Sequence, residues 1–265
     1  MLDLLSLSDN IRHILSLMCA VFYLSAFGTT LARKIKVKNI SSLLWGIGTI
    51  INGLIVVSNW VVNGYMPFVS MYQVLTFLGV TYSIVFVYVK GRFNGEFMKP
   101  YFMFFQGVIM VGVFFMGRNS SAWTFPPALQ SSYFIPHVFS YMISYTLVAV
   151  AALMCIISLF LTGENKLRHE KAVYHLVITG FPFMVLGMLL GALWANACWG
   201  NFWSWDLKET WSLVTVMTLS AYLHFRRTDN LGKYAKILVI LAFIFEIITL
   251  FFVGMFDGSS IHAYN

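Results

Sequence analysis

Long apolar runs separated by short polar connections limit the folds open to this 265-residue chain. Several runs approach the ~20 residues that an α-helix needs to cross ~30 Å of hydrocarbon. Charged residues make up only 10% of the sequence, against roughly 25% in a soluble domain. The runs do not alternate in polarity, which argues against a membrane β-barrel. The sequence therefore predicts an all-α, polytopic membrane helical bundle.

Eight transmembrane helices fit the apolar pattern. They are predicted at residues 11–32, 42–62, 69–89, 101–117, 136–161, 173–195, 211–225 and 236–256. The first run continues past Ala32 into a basic connection, so it is predicted to be a span and not a cleavable signal peptide. The connections are too short for a separate soluble domain, and we predict one membrane domain over residues 1–265. Residues 118–135 are predicted to form an ordered loop or a short surface helix.

Basic residues predict the orientation of these helices. Fourteen of the 17 Lys and Arg residues fall in the connections 33–41, 90–100, 162–172 and 226–236. Cytoplasmic connections carry such an excess, which predicts a multi-pass protein of the cytoplasmic (inner) membrane with both termini outside the cytoplasm. The basic clusters also explain the net charge of +7 without a nucleic-acid partner. The lipid bilayer is the partner that the composition implies.

A tryptophan segment, residues 198–211, separates the sixth and seventh predicted spans and lies outside the cytoplasm in this scheme. It contains Trp199, Trp203, Trp205 and Trp211. Such rigid π surfaces suit a large planar ligand, and haem is the obvious candidate. Interfacial tryptophans also form aromatic belts, but belts spread over many helix ends and need no fixed residue order. We therefore expect these indoles to form a shelf against a porphyrin face.

Charged residues accompany the indoles of the tryptophan segment. Asp206 is assigned to the haem-binding set. Two roles are open for Asp206, Lys208 and Glu209: they fix the loop, or Lys208 approaches a haem propionate. The sequence does not separate these roles.

Histidines at two helix ends are candidate iron ligands. His137 opens the fifth predicted span from the outer side, and His262 follows the last span on that side. Two imidazoles can ligate haem iron axially, one on each face of the ring. A single histidine near a helix end is more often merely interfacial, so this prediction rests on the neighbouring tryptophan segment.

His224 lies near the cytoplasmic end of the seventh predicted span, a membrane depth away from His137 and His262. An ionisable residue within a span is a functional-site hypothesis, although a histidine beside two arginines also fits a purely interfacial role. If His224 binds a second haem, its companion ligand is His175 at similar depth or a residue of a partner subunit.

The tryptophan segment resembles a known signature. Trp199-Gly200-x-x-Trp203-x-Trp205-Asp206-x-Lys208-Glu209-Thr210-Trp211 resembles the WWD signature of haem-handling proteins in cytochrome c biogenesis. Its Lys-Glu-Thr-Trp ending is similar to the CcsA/ResC branch, which belongs to system II. The resemblance continues in Gly187-x-x-x-Gly191-Ala192-x-Trp194-Ala195, Tyr222-Leu223-His224, Ser70-Met71-Tyr72, and Gln130-Ser131 followed by His137-Val138.

Four positions in three places depart from the family pattern. Leu207 stands where proline is usual, and Gln73 stands where an acidic residue is common. The sequence Ile261-His262-Ala263-Tyr264 replaces the usual Leu-His-Ser-Tyr.

The resemblance implies a function and a set of ligands. His137 and His262 correspond to the two external axial ligands, and His224 corresponds to the transmembrane haem histidine. The second transmembrane ligand comes from a CcsB/ResB-like membrane protein, which this sequence lacks and which is therefore an expected partner. The implied function is export of haem b, as substrate and ligand, and its presentation to apocytochrome c carrying Cys-x-x-Cys-His. With its partner, the protein would act as a holocytochrome c synthase (haem lyase). No catalytic nucleophile is expected from the chain itself.

Other functions fit parts of the pattern. The main alternative is a membrane haem-binding electron-transfer subunit, which would normally carry paired histidines at both depths. A solute transporter with an aromatic gate predicts internal repeats and helices broken at the midplane, and neither is evident. A protein that only stabilises another haem protein during assembly also remains open.

Overall fold

The structure, a computed structural model, describes residues 9–31, 35–116, 126–228 and 234–252. These residues form eight α-helices: α1 Asp9–Leu31, α2 Ile35–Asn63, α3 Met71–Phe93, α4 Lys99–Met116, α5 Phe134–Ser158, α6 Gly163–Trp199, α7 Leu207–Phe225 and α8 Ala235–Ile247. Short 3₁₀ helices lie at Gly95–Met98 and Pro127–Gln130, and a π-helical turn, Ile248–Phe252, follows α8. The described residues contain no strand, so the all-α prediction is confirmed.

Six of these helices, α1 to α6, are long and apolar enough to cross a membrane. Large apolar side chains cover their outer surfaces: Ile50, Val87 and Phe115 are 66%, 62% and 76% exposed. Water would penalise such surfaces, whereas lipid chains accommodate them. The chain is therefore a multi-pass helical membrane protein, as predicted. That α7 and α8 also cross the membrane stays a prediction.

Helix α6 differs most from its predicted bounds. Hydropathy predicts a span at residues 173–195 after a loop, but the helix begins at Gly163 and runs through 37 residues. At 1.5 Å per residue it is roughly 55 Å long, which exceeds the hydrocarbon thickness. Its first turns contain Lys, Glu and Arg, which are good helix formers despite their charge. A hydropathy argument cannot detect such a polar extension of a helix.

The chain divides into two compact units, Met1–Pro126 and Pro127–Asn265. In the first unit, α1 and α3 each pack against both α2 and α4. In the second unit, α5 and α7 each pack against both α6 and α8. Each unit therefore contains four helices, and the same pattern of helix–helix contacts occurs in both units. The assignment of residues 1–265 to a single domain stays a prediction.

A hydrogen-bonded network joins three helices inside the first unit. Trp45 Nε1 of α2 donates to Gln106 Oε1 of α4, at 2.9 Å. Gln106 Nε2 donates to the Gly79 carbonyl and to Ser83 Oγ of α3, at 2.9 and 2.6 Å. Gln106 is fully buried. Because lipid offers no replacement hydrogen bonds, these contacts fix how α2, α3 and α4 pack together.

Replacing Gln106 with leucine should destabilise the protein by about 1–2 kcal/mol, because the change leaves the indole N–H of the partly buried Trp45 without its acceptor. Unfolding by SDS titration in detergent micelles measures this difference. Gln130→Leu is the matched control, since Gln130 is exposed, and its effect should stay within about 0.5 kcal/mol. Equal stability of the two variants would contradict the structural role of the network.

Small residues allow α5 and α6 to approach each other closely in the second unit. Ala149, Ala151 and Ala152 of α5 are buried. A Cβ atom added at Gly180 of α6 would lie 3.2 Å from Leu147 Cβ. Membrane helices associate through such small residues because van der Waals packing replaces the hydrophobic effect there. This contact sets the position of the candidate site, which lies further along the same helix pair.

Candidate functional site

The tryptophan segment begins where α6 ends. Gly200 terminates α6 in the left-handed conformation, with φ of 77°, and its N–H donates to the Asn196 carbonyl. Glycine adopts this conformation without steric cost. Trp205 also has a positive φ, 60°, which is rare for a bulky side chain and indicates local backbone strain. The turn exposes 68% of the Trp205 side chain.

A capping box fixes the other end of the segment at the start of α7. Asp206 Oδ1 accepts a hydrogen bond from the Glu209 backbone N–H, at 2.8 Å. Glu209 Oε2 accepts in return from the backbone N–H groups of Asp206 and Ser204, at 3.4 and 2.7 Å. This reciprocal arrangement satisfies backbone donors that a helix start leaves open. Asp206 and Glu209 therefore fix the loop, which was one of the two roles left open by the sequence.

The indoles of the segment lie in several ring contacts. Trp203 and Trp205 lie edge to face with ring centres 5.8 Å apart. Trp199 contacts Trp194 at 5.0 Å in a similar geometry. Trp211, by contrast, packs on Phe245 of α8, at 5.2 Å. The packing of Trp211 joins α7 to α8, and a single shelf made by all four predicted indoles stays a prediction.

The indole nitrogen of Trp203 is a buried donor without an acceptor among the described residues. Leaving such a group unsatisfied costs about 1–3 kcal/mol. Buried polar groups in native structures nearly always have a hydrogen-bond partner. A buried donor without one among the described residues is therefore a candidate for a hydrogen bond to a ligand. A carboxylate or carbonyl oxygen would satisfy Trp203 at this position.

His137 lies in the groove between α5 and α6. Its Nδ1 is 2.8 Å from the carbonyl oxygen of Gly187. Its ring lies edge to face with Tyr141 at 4.9 Å and is tilted against Trp194 at 5.6 Å. A Cβ added at Gly191 would lie 2.7 Å from His137 Cε1 and Nδ1. The two glycines of α6 therefore provide the space and the acceptor that hold this imidazole.

The hydrogen bond at Nδ1 determines which ring nitrogen can bind a metal. A carbonyl oxygen only accepts hydrogen bonds, so His137 Nδ1 carries the proton and donates it. In the neutral ring Nε2 then holds the lone pair. Metal-ligating histidines are commonly oriented in this way, with the second nitrogen donating to a backbone carbonyl. The chemistry of His137 thus fits an axial iron ligand.

Trp194 connects His137 to the tryptophan segment. Trp194 is buried, and its Nε1 donates to the Ala128 carbonyl at 2.8 Å. The Trp194 ring contacts the His137 ring and also the Trp199 ring. Neither Trp194 nor Tyr141 is among the site residues predicted from the sequence. The spacing of four residues between His137 and Tyr141 on α5 was the available signal, because such residues share a helix face.

The remaining histidines lie in different environments. His262 lies outside the described residues, so its pairing with His137 stays a prediction. His224 is exposed in the last turn of α7, whereas His175 on α6 is half-buried beside Tyr174. His169 Nδ1 bonds to the Asn165 carbonyl within α6. The described residues contain no group of three or more His, Cys, Asp or Glu side chains able to hold a metal.

Lys208 is a half-buried cation in the first turn of α7. Burial lowers its pKa, and the Asp206 carboxylate partly offsets this change. A helix start disfavours positive charge because its N–H groups carry partial positive charge themselves. Lys208 therefore does not stabilise the helix electrostatically, and its approach to a haem propionate stays a prediction.

These features define a membrane helical protein with an imidazole held against an aromatic cluster at one end of a four-helix unit. The profile of the family described as Cytochrome C assembly protein matches residues 9–259, and the chain belongs to this family. It is similar to the cytochrome c biogenesis protein CcsA of Guillardia theta, at 27% identity over 99% of this chain and 97% of the relative.

Two further relatives with the same name show comparable similarity. CcsA of Trieres chinensis is 29% identical over 78% of this chain and 80% of the relative. CcsA of Chlamydomonas reinhardtii is 28% identical over 89% of this chain and 71% of the relative. The resemblance to the CcsA family is thereby confirmed. The chain has a role in cytochrome c maturation, a membrane process that handles haem and involves apocytochrome c.

Replacing Gly191 with alanine should lower the free energy of unfolding by about 1–3 kcal/mol, because the new Cβ overlaps the His137 ring and forces α5 or the imidazole to move. Gly112→Ala is the matched control on α4, where a Cβ meets nothing within 4 Å. Its effect should have the opposite sign, with a gain of up to about 1 kcal/mol from better helix propensity. Thermal unfolding in detergent measures both variants, and a stabilising Gly191→Ala would contradict the packing described.

Replacing Glu209 with alanine should loosen the tryptophan segment, because the Ser204 and Asp206 amides lose their acceptor. A loss of 1–2 kcal/mol corresponds to roughly 5–30-fold faster amide exchange. Hydrogen–deuterium exchange of a peptide covering residues 200–208 measures the effect. Glu209→Gln retains an acceptor oxygen and should exchange at close to the native rate. Equal acceleration in both variants would show that charge, and not the capping box, holds the segment.

Proposed function

We propose that this chain exports haem b across the membrane and presents it outside the cytoplasm for covalent attachment to apocytochrome c. In this proposal it acts with a CcsB/ResB-like membrane protein as a holocytochrome c synthase (haem lyase). Membership of the cytochrome c assembly family supports the general role. The geometry around His137 supports an external haem site on this chain.

The single observation that carries the proposal is the hydrogen bond from His137 Nδ1 to the Gly187 carbonyl. It leaves Nε2 as the lone-pair nitrogen of an imidazole that is held rigidly between two helices. We assign His262, which lies outside the described residues, as the residue that would supply the second iron ligand. Two neutral imidazoles also modulate the redox state of haem iron, and reduced iron is the expected reactive form.

The aromatic residues around this imidazole would hold the porphyrin in one orientation. We assign the tryptophan segment, with Trp199, Trp203, Trp205, Asp206 and Trp211, to haem binding. The open donor on Trp203 suits a propionate oxygen, and Lys208 offers a cation to the same group. Asp206 would act indirectly, through the capping box that fixes the loop.

Attachment itself needs no nucleophile from this chain. Haem supplies two vinyl groups, and the substrate Cys-x-x-Cys-His motif supplies two thiols. Each S–H adds across one C=C bond, so sulfur bonds to one vinyl carbon and hydrogen to the other, with no net oxidant. The protein would hold both reactants in register, and orientation alone can contribute about 7–11 kcal/mol to such a reaction.

His224 would bind haem at a second, inner site. It is exposed at the end of α7, a position from which it can meet a ligand supplied by another subunit. The half-buried His175 is a less open alternative within the chain. We propose that the inner site faces the cytoplasm and that the tryptophan segment lies outside, in the orientation that the basic connections favour.

Co-expression with a CcsB/ResB-like partner and an apocytochrome tests this function. His137→Ala and His262→Ala should each lower holocytochrome yield at least tenfold, because an axial ligand worth about 1.4 kcal/mol or more is lost. His224→Ala should lower the total haem that copurifies with the complex. Haem staining of the cytochrome and the visible spectrum of the purified complex are the two readouts.

His169→Ala is the matched control, because it also removes an imidazole from the chain, and His169, whose Nδ1 bonds to the Asn165 carbonyl, lies outside both assigned sites. It should leave both readouts close to native. Native holocytochrome yield in all three test variants would overturn the proposed function. A bis-histidine spectrum without any covalent attachment would instead indicate a haem-binding electron-transfer subunit.

A further inference from the structure

A polar cavity lies in the second unit, at the end where α5 ends and α6 begins. Its volume is about 480 Å³, within the roughly 300–1,000 Å³ typical of small-ligand sites. All four helices of the unit contribute to it. The charged and hydroxyl-bearing residues of its lining are Ser158, Lys166, Glu170, Tyr222, Arg226 and Lys236.

The charge of this cavity favours an anion. Three of its lining side chains are cationic, and one, Glu170, is anionic. Glu170 pairs with Lys236, which leaves Lys166 and Arg226 to supply a net positive charge. Phosphate groups in proteins are commonly bound by such Lys and Arg side chains.

Two of the cavity's groups are held in place. The Arg226 guanidinium stacks on the Tyr174 ring, with Cζ 3.8 Å from the ring centre. Stacking of this kind orients the planar guanidinium and leaves its edge for hydrogen bonds. The Tyr222 side chain, one helical turn earlier, is buried at the cavity wall. A bound anion would therefore meet donors that are already oriented.

The cavity is separate from the haem ligands assigned above. Tyr222 and Arg226 are four residues apart and share one face of α7. His224 lies midway between them, so its side chain projects from roughly the opposite face at 100° per residue. Neither His224 nor His137 lines the cavity.

The surroundings of the cavity are those of a membrane boundary. The candidate span of α5 ends at Ser158, and the next two residues, Leu159 and Phe160, are 63% and 81% exposed. Leu159 also lines the cavity. An amphiphile could therefore place a phosphate in the cavity while its chains cover these apolar side chains.

We propose that this cavity is a binding site for a phosphate-bearing anion, held by Lys166 and Arg226. The phosphate group is the shared chemistry of two sources, an anionic phospholipid headgroup and free phosphate. Both cations would form charge-assisted hydrogen bonds with the phosphate. Removing both of them should therefore weaken binding roughly tenfold to a hundredfold.

The test uses the full chain purified with its partner. Native mass spectrometry counts phosphatidylglycerol retained from mixed micelles, with phosphatidylcholine as the zwitterionic comparison. A second arm measures thermal stabilisation by inorganic phosphate at constant ionic strength. The test variant is Lys166→Gln with Arg226→Gln, and the control is Lys171→Gln with Arg227→Gln, which removes the same charges from exposed residues outside the cavity.

If the retention of phosphatidylglycerol falls at least tenfold in the test variant but not in the control, the result supports the site and identifies the ligand as the lipid headgroup. Stabilisation by inorganic phosphate alone, lost in the test variant only, supports the site and assigns a soluble ligand. Equal behaviour of the native, test and control proteins towards both probes would overturn the proposal. Each variant's unfolding midpoint, compared with the native protein, verifies that it folds.

Discussion

The hydrogen bond between His137 Nδ1 and the Gly187 carbonyl is the contact on which the candidate site depends. It requires α5 and α6 to approach closely, which small residues such as Gly180 and Gly191 permit. It also decides the chemistry of the imidazole, because the proton on Nδ1 leaves the lone pair of the neutral ring on Nε2. This one contact therefore affects both the packing of α5 against α6 and the position of the proton on the His137 ring. A larger residue at Gly191 would disturb both together.

Helix starts explain two positions at which this chain departs from the pattern of the family it resembles. Gln73 occupies the third position of α3, where its side chain accepts from the Ser70 backbone N–H in a capping box. An amide performs this role as an acidic group would. Leu207 is the first residue of α7, a position where proline is favoured because the N–H is not needed, but where leucine also fits. Neither departure disturbs the helix that follows it.

Polar groups within the helical units lie in two kinds of environment. In the first unit, Gln106 satisfies its amide within a network that joins three helices. In the second, the Trp203 N–H has no acceptor in the described part of the chain, and Lys166 and Arg226 line a cavity. Satisfied groups stabilise packing, whereas open donors and charges are suited to ligands.

Residue order and composition alone were enough to predict the helical membrane class, the family, the tryptophan segment and the candidacy of His137 as an iron ligand. These properties depend on composition and on residue order along the chain, so no packing information is needed to derive them. Only the packed helices show that Trp194 and Tyr141 contact His137, that Trp211 packs on α8, and that four helix ends enclose a basic cavity. Helix α6 also includes the charged residues from Gly163 onwards, which hydropathy predicted to be a loop. Such features depend on which residues meet after the helices pack, and hydropathy summed along a chain does not contain that information.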